Sequence, residues 1–153
     1  LHNLHFISKN QKGQAIIFFA VLLPVALAFL GFTLDIGRLQ LIRTQLQAAV
    51  DAASLAGAST AKVIVIGDEW ANIYEKKVVL DEDEAEDAAY NCLMENMQHI
   101  PQAALLWHDI DPDSDTSTVK VRAKVRIPTY FMNLVGKTYL ETSRYSKSTA
   151  KAE

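Results

Sequence analysis

Residues 15–34 read AIIFFAVLLPVALAFLGFTL, twenty positions without one formally charged side chain, closed by Lys12 on one side and Asp35 on the other. At about 1.5 Å rise per residue, such a segment makes a helix of about 30 Å, the hydrocarbon thickness of a bilayer. Two other readings compete with a membrane span. A fully buried core helix would show the same composition, although apolar runs this long normally span membranes. A cleaved signal peptide would need a small-residue cleavage site followed by a change of character. No such change follows: LDIGRLQLIRTQLQAAVDAASLAGAS continues as one helical pattern.

The chain has 153 residues and is 50% hydrophobic, with much of that fraction in the first third. About 60 residues of helix leave roughly 90 for one small domain, enough for a modest core. The expected organisation is a flank at 1–14, a long apolar then amphipathic helix at 15–60, and an α+β head at 61–153. The head should hold an antiparallel sheet and one or two helices. A single cysteine, Cys92, excludes an intrachain disulfide and a cysteine-based zinc cluster.

The flank LHNLHFISKNQKGQ opens on Leu1 and not on Met, which leaves processing and trimming both open. Its Lys9 and Lys12 favour a cytoplasmic N-terminus, whereas Arg38 and Arg43 beyond the other end oppose that orientation. His2 and His5 lack companions that would make a metal site. Within the apolar run, Pro24 should kink the helix and Gly31 should admit another backbone, through bilayer adaptation or helix packing. Past Asp35, Leu39, Ile42, Leu46, Ala49, Ala53 and Ala56 follow a 3,4,3,4,3 spacing, the seam of a helix that packs on another. Leu41, Val50 and Leu55 lie off the seam, so two apolar partners are expected, the head itself and a neighbouring copy. Gly57 and the residues to Thr60 should end the helix.

In the head, residues 62–66 (KVIVI) suit a short strand, and residues 81–98 read as a helix with an acidic start. Ala85, Ala89, Cys92, Leu93 and Met97 should face inward. Residues 118–127 are the clearest strand: Val119, Val121, Ala123, Val125 and Ile127 alternate with Lys120, Arg122, Lys124 and Arg126. Residues 105–110 and 139–148 should add strands, the latter antiparallel to the clearest one, with a helical turn within 130–135.

Charge is distributed unevenly. Residues 61–117 carry fourteen acids against three lysines, and residues 118–153 carry eight cations against two acids. Pairing within the head or between copies is expected. For the four-cation face, the acidic helix or plain solvation is the expected environment. No aromatic residues interleave with it to form a single-strand stacking platform, so no nucleic-acid partner is expected.

Asp109, Asp111, Asp113 and Asp115 alternate in a way that suggests a calcium loop. An EF-hand requires Gly at the sixth position and Glu at the twelfth, where this chain has Ser114 and Lys120. The stretch therefore reads as a solvated turn, with a loop of another type as the remaining metal reading. His99 and His108 have acids nearby but no nucleophile at a recognisable spacing. No phosphate loop, dinucleotide fingerprint or haem motif occurs. The sequence reads as a non-enzyme without a cofactor.

Residues 13–59, GQAIIFFAVLLPVALAFLGFTLDIGRLQLIRTQLQAAVDAASLAGAS, resemble the N-terminal segment of the TadE/TadG-like proteins of tight-adherence (Tad, or Flp) pilus systems. The Gly13 to Pro24 spacing, Asp35, Gly37, Arg38, Leu46, Gln47, Asp51 and the Ala-rich end carry the resemblance. RIPTYFMNLVG and the polar strand ending at Ala150 also look like the C-terminal end of such proteins. Phe18 stands where pilin-like precursors of the family carry Glu, as in the TadG-like branch, of which this chain looks like a compact version.

The resemblance implies a structural pilin-like subunit or pilus-associated protein. Its partners would be other copies or other pilin-like subunits, the assembly machinery, and the inner membrane before assembly. The head would lie outside the cytoplasm or on an extracellular filament. Phe18, Pro24, Gly31 and the six seam residues would be the packing positions. The alternative is a monomeric, inner-membrane-tethered binding module or pilus assembly accessory protein.

Overall fold

The computed structural model describes residues 11–68 and 73–151. His2, His5 and Lys9 lie outside the described residues. One helix, α1 (Gln11–Ser59), runs 49 residues and remains helical through Pro24. At 1.5 Å per residue it is about 73 Å long. A hairpin of β1 (Lys62–Asp68) and β2 (Ile73–Val79) follows, then α2 (Glu82–Gln98). A meander of β3 (Ala104–Asp113), β4 (Thr118–Pro128) and β5 (Tyr139–Thr149) completes the head, with one 3-10 turn (Met132–Val135) between its last two strands. The fold is α+β, with a long apolar N-terminal helix followed by a small head containing antiparallel sheets and a second helix.

The three-stranded sheet has β4 at its centre, and the alternation in that strand determines which face is buried. Val119, Val121, Ala123, Val125 and Ile127 are buried, while Lys120, Arg122, Lys124 and Arg126 point outward. The second half of α1 and all of α2 cover the apolar face. Ile42, Leu46, Ala49, Val50 and Ala53 from α1 join Ala85, Ala89, Leu93 and Met97 from α2 in one core. α2 starts as its composition demands: Asp81 caps it by accepting the Glu84 N–H at 3.1 Å, and Glu82, Asp83 and Glu84 occupy the first turn. Glu82 also accepts from the backbone N–H and hydroxyl of Ser114, fastening the helix start to the β3–β4 turn.

Several expectations change on folding. Strand β2 was not anticipated, because Glu75, Lys76 and Lys77 interrupt its apolar pattern; pairing with β1, from Lys62 opposite Val79 to Asp68 opposite Ile73, defines it. The cationic face of β4 does not meet the acidic helix. Its partners are cross-strand neighbours: Asp111 for Lys120 at 2.8 Å, Asp109 for Arg122 at 3.7 Å, and Glu141 for Lys124 at 2.6 Å and for Arg126 at 2.9 Å. The acidic helix receives a cation from β1 instead, through Lys62 and Glu84 at 2.7 Å. These exposed pairs set strand register more than they add stability, since solvent and salt screen them.

α1 ends at Ser59, within the expected stretch, but Gly57 itself has a different place in it. It is buried in the final turns, where α1 crosses α2, and a Cβ there would lie 2.8 Å from the Ala85 carbonyl oxygen and 3.0 Å from Val119 Cγ1. The helix is closed instead by Ser59 and Thr60, whose hydroxyls donate to the Ala56 and Gly57 carbonyls. Two opposite outcomes follow for the same substitution. Gly37 has nothing within 4 Å of its added Cβ, so Gly37→Ala should collect the helix-propensity gain of about 0.8–1 kcal/mol. Gly57→Ala collects that gain too but must displace backbone, an overpacking cost of about 1–3 kcal/mol. Thermal unfolding of the full chain in detergent, followed by circular dichroism, should show a raised Tm for the first and a lowered Tm for the second.

Candidate functional site

The packing residues expected along α1 separate into two groups. Ile42, Leu46, Ala49 and Ala53 are buried inside the head, with Leu39 packed at the edge of that core and Ala56 half-buried. Their seam is thus occupied within the chain, by α2 and the sheet, and a neighbouring copy cannot reach the four buried side chains without opening the head. The reason lies in α2, whose Ala85, Ala89 and Leu93 supply the complementary close-packing stripe. Phe18 and Pro24 belong to the other group, on the part of the helix that the head does not cover.

That uncovered part is continuous. Ile16, Ile17, Phe18, Phe19, Val21, Leu22, Leu27, Phe29 and Leu30 are each more than half exposed, and the run extends to Leu34 at 59%. The helix satisfies its own backbone there, and up to Leu30 most of its side chains are left exposed by the described residues. By length and composition the segment is apolar enough to cross a membrane.

Between the bare and the covered halves lies a polar junction. Asp35 is buried, and its carboxylate accepts three backbone N–H groups from a segment 95 to 97 residues away: Tyr130 at 3.1 Å, Phe131 at 2.9 Å and Met132 at 2.8 Å. One helical turn earlier, Gly31 is covered by the Phe131 side chain, whose atoms would lie 2.4 Å from an added Cβ. The close approach expected at Gly31 is thus made by this chain's own aromatic ring. One turn later, Arg38 lies over the Tyr130 ring at 4.3 Å and donates to the Pro128 carbonyl at 3.4 Å. Gln102 Oε1 accepts from both Arg38 and the Tyr130 hydroxyl. Gln102 holds a φ of 63°, a left-handed conformation costing a non-glycine residue about 1–2 kcal/mol. Gly136, at φ 81°, closes the 3-10 turn without that penalty.

Burial disfavours the charged form of Asp35. The N–H groups of Met132, Tyr130 and Phe131, with the Arg38 charge behind them, outweigh that and hold the carboxyl below its ordinary value. Asp35, Arg38, Gln102 and Phe131 were not identified as site residues from sequence. The available signal was an acid placed at the end of an apolar run, together with a second apolar cluster, TYFMNLV, in which a short helical turn was expected.

The four alternating aspartates have other work. Asp109 and Asp111 pair with Arg122 and Lys120, and Asp113 accepts the N–H groups of Asp115 and Thr116 to form the β3–β4 turn. Among the described residues, no group of three or more His, Cys, Asp or Glu side chains is placed to hold a metal ion.

Asp35 supports a pH prediction. Its folded-state carboxyl titrates below the unfolded value, so its stabilisation is complete above about pH 3.9 and is lost as the pH falls through the lower folded value. Asp35→Ala should reproduce that loss at neutral pH by removing the acceptor of three backbone N–H groups, at a cost of about 1–3 kcal/mol. Hydrogen exchange at the Tyr130, Phe131 and Met132 amides should accelerate at least about tenfold, since about 1.4 kcal/mol suffices for that factor. Unchanged exchange would show that the carboxylate does not hold the segment.

Comparison with known families gives a match along the long helix. Residues 13–60 match the Tad family, described as "Putative Flp pilus-assembly TadE/G-like". The matched stretch begins near the start of α1, ends one residue beyond Ser59, and includes Gly31, Asp35 and Arg38. No curated protein and no solved structure matched the chain.

Proposed function

We propose that this chain, a TadE/TadG-like protein by its N-terminal segment, is a structural pilin-like or pilus-associated subunit that assembles through the bare half of α1. One observation carries the proposal: an unbroken helix leaves most of its residues 15–30 exposed while burying its second half in the head. Such a surface requires lipid or equivalent helices around it. In lipid there is no hydrophobic drive between helices, so pairing would depend on close packing along residues such as Phe18 and Pro24. The inner membrane would hold the segment before assembly, and other pilin-like subunits would replace lipid in a filament. The head would lie outside the cytoplasm, with the pilus assembly machinery as a further partner.

A second reading has its own support. The seam along Ile42 to Ala53 is used up inside the head, so those four side chains are not available to direct polymerisation. That favours a tethered accessory or binding module over a major subunit to the extent that a filament needs contacts beyond the membrane segment. Electron microscopy of material sheared from cells, with mass spectrometry of its subunits, separates the two. Filaments rich in this chain support the structural subunit; filaments of another subunit, with this chain left monomeric in the membrane, support the tether.

Both readings require the bare half to enter an apolar phase. Leu23→Arg places a charge near the middle of the segment, where insertion is opposed by about 2.5–3.5 kcal/mol. The variant should shift from the carbonate-resistant membrane fraction towards the soluble fraction. The head, which does not touch Leu23, should keep its thermal transition.

A further inference from the structure

We infer that the segment 130–136, YFMNLVG, is a membrane-contact element that dips into the boundary between lipid headgroups and acyl chains beside α1. The inference rests on the reading that residues 15–34 lie in a bilayer. Phe131 packs on Gly31, and Asp35 accepts the N–H groups of Tyr130, Phe131 and Met132, so the segment is fastened to the helix at the end of its apolar run. Gly31 lies four residues before Asp35, about 6 Å along the axis on the apolar side. A segment bound there cannot remain in bulk water when the helix is inserted, and that depth matches the 5–10 Å at which interfacial elements bury their apolar faces.

The side chains suit that depth. Leu134 is 81% exposed, more than any large apolar residue of the bare helix, and Val135 is 62% exposed. The 3-10 turn brings the two together, and the described residues leave both exposed. Tyr130, Phe131 and Tyr139 flank the turn, all exposed, with ring systems of the kind that collect at membrane interfaces. Lys137 is exposed just beyond Gly136, and Arg38 lies on the polar side of Asp35, both suited to lipid phosphates. The turn thus gives the single span a second foothold. Two points of contact on different parts of the chain fix the rotation and tilt of the head, which one helix alone leaves free.

The test uses the full chain in a Cys92→Ser background with one new cysteine at a time, Leu134→Cys, Ile17→Cys or Asp115→Cys, labelled with a nitrobenzoxadiazole dye. The chain is reconstituted into phosphatidylcholine and phosphatidylglycerol vesicles carrying acyl-chain nitroxides. The dye at 134 should be quenched severalfold more by the nitroxides, and severalfold less by aqueous iodide, than the dye at 115. Quenching by lipid at 17 but not at 134 overturns the membrane-contact element and leaves the span intact. Absence of lipid quenching at both 17 and 134 overturns the span and this inference together. A dye at 134 that is shielded only in assembled filaments assigns the surface to a second copy and also overturns it.

Discussion

One unbroken helix has to satisfy two environments, and the rest of the structure follows from that constraint. A helix saturates its own backbone hydrogen bonds, so α1 can leave the head without stranding polar groups. Its side chains decide what surrounds each half. Residues 15–30 offer apolar surface that is largely exposed, whereas Ile42, Leu46, Val50 and Ala53 present one face that α2 and the sheet cover. The head is therefore built on the helix and does not merely hang from it.

The change of environment falls at Asp35. A buried carboxylate is costly unless its lone pairs are filled, and here three backbone donors fill them. Those donors come from the connection between β4 and β5, so the junction also closes the sheet onto the helix. Gly31 and Arg38 extend the same contact by one turn in each direction. Farther from the junction, the sheet's outer face is organised by cross-strand charge, with Glu141 serving both Lys124 and Arg126. Asp109 with Arg122 and Asp111 with Lys120 join the acidic half of the head to the basic half, whereas Glu141 pairs within the basic half.

The elements that were legible in the sequence are those with a strong local period. The alternation from Val119 to Ile127 located β4, and the acidic start with Ala85, Ala89 and Leu93 located α2. The uncharged run and the spacing after it located α1, and its resemblance to TadE/TadG-like proteins agrees with the family match over residues 13–60. Long-range choices were not legible. A 3,4 seam shows that a helix packs but not on what, and here the head takes it. Gly57 looked like a helix end because glycine often is one; its purpose, the close crossing with Ala85, depends on a residue 28 positions away. Asp35 reads locally as the end of an apolar run, and only folding brings the Tyr130 to Met132 amides to it. The strand at Ile73–Val79 exists because β1 pairs with it, despite two lysines and a glutamate in its middle.

The central claim, that α1 is one helix held by the head over one half and by an apolar phase over the other, can be measured directly by hydrogen exchange along α1. The full chain would be placed in lipid nanodiscs and exposed to rising denaturant. Amides at 39–58 should lose protection together with β4 and α2, while those at 15–34 remain protected after the head has unfolded. Rapid exchange across 15–34 in lipid, or a single transition for the whole helix, would contradict it.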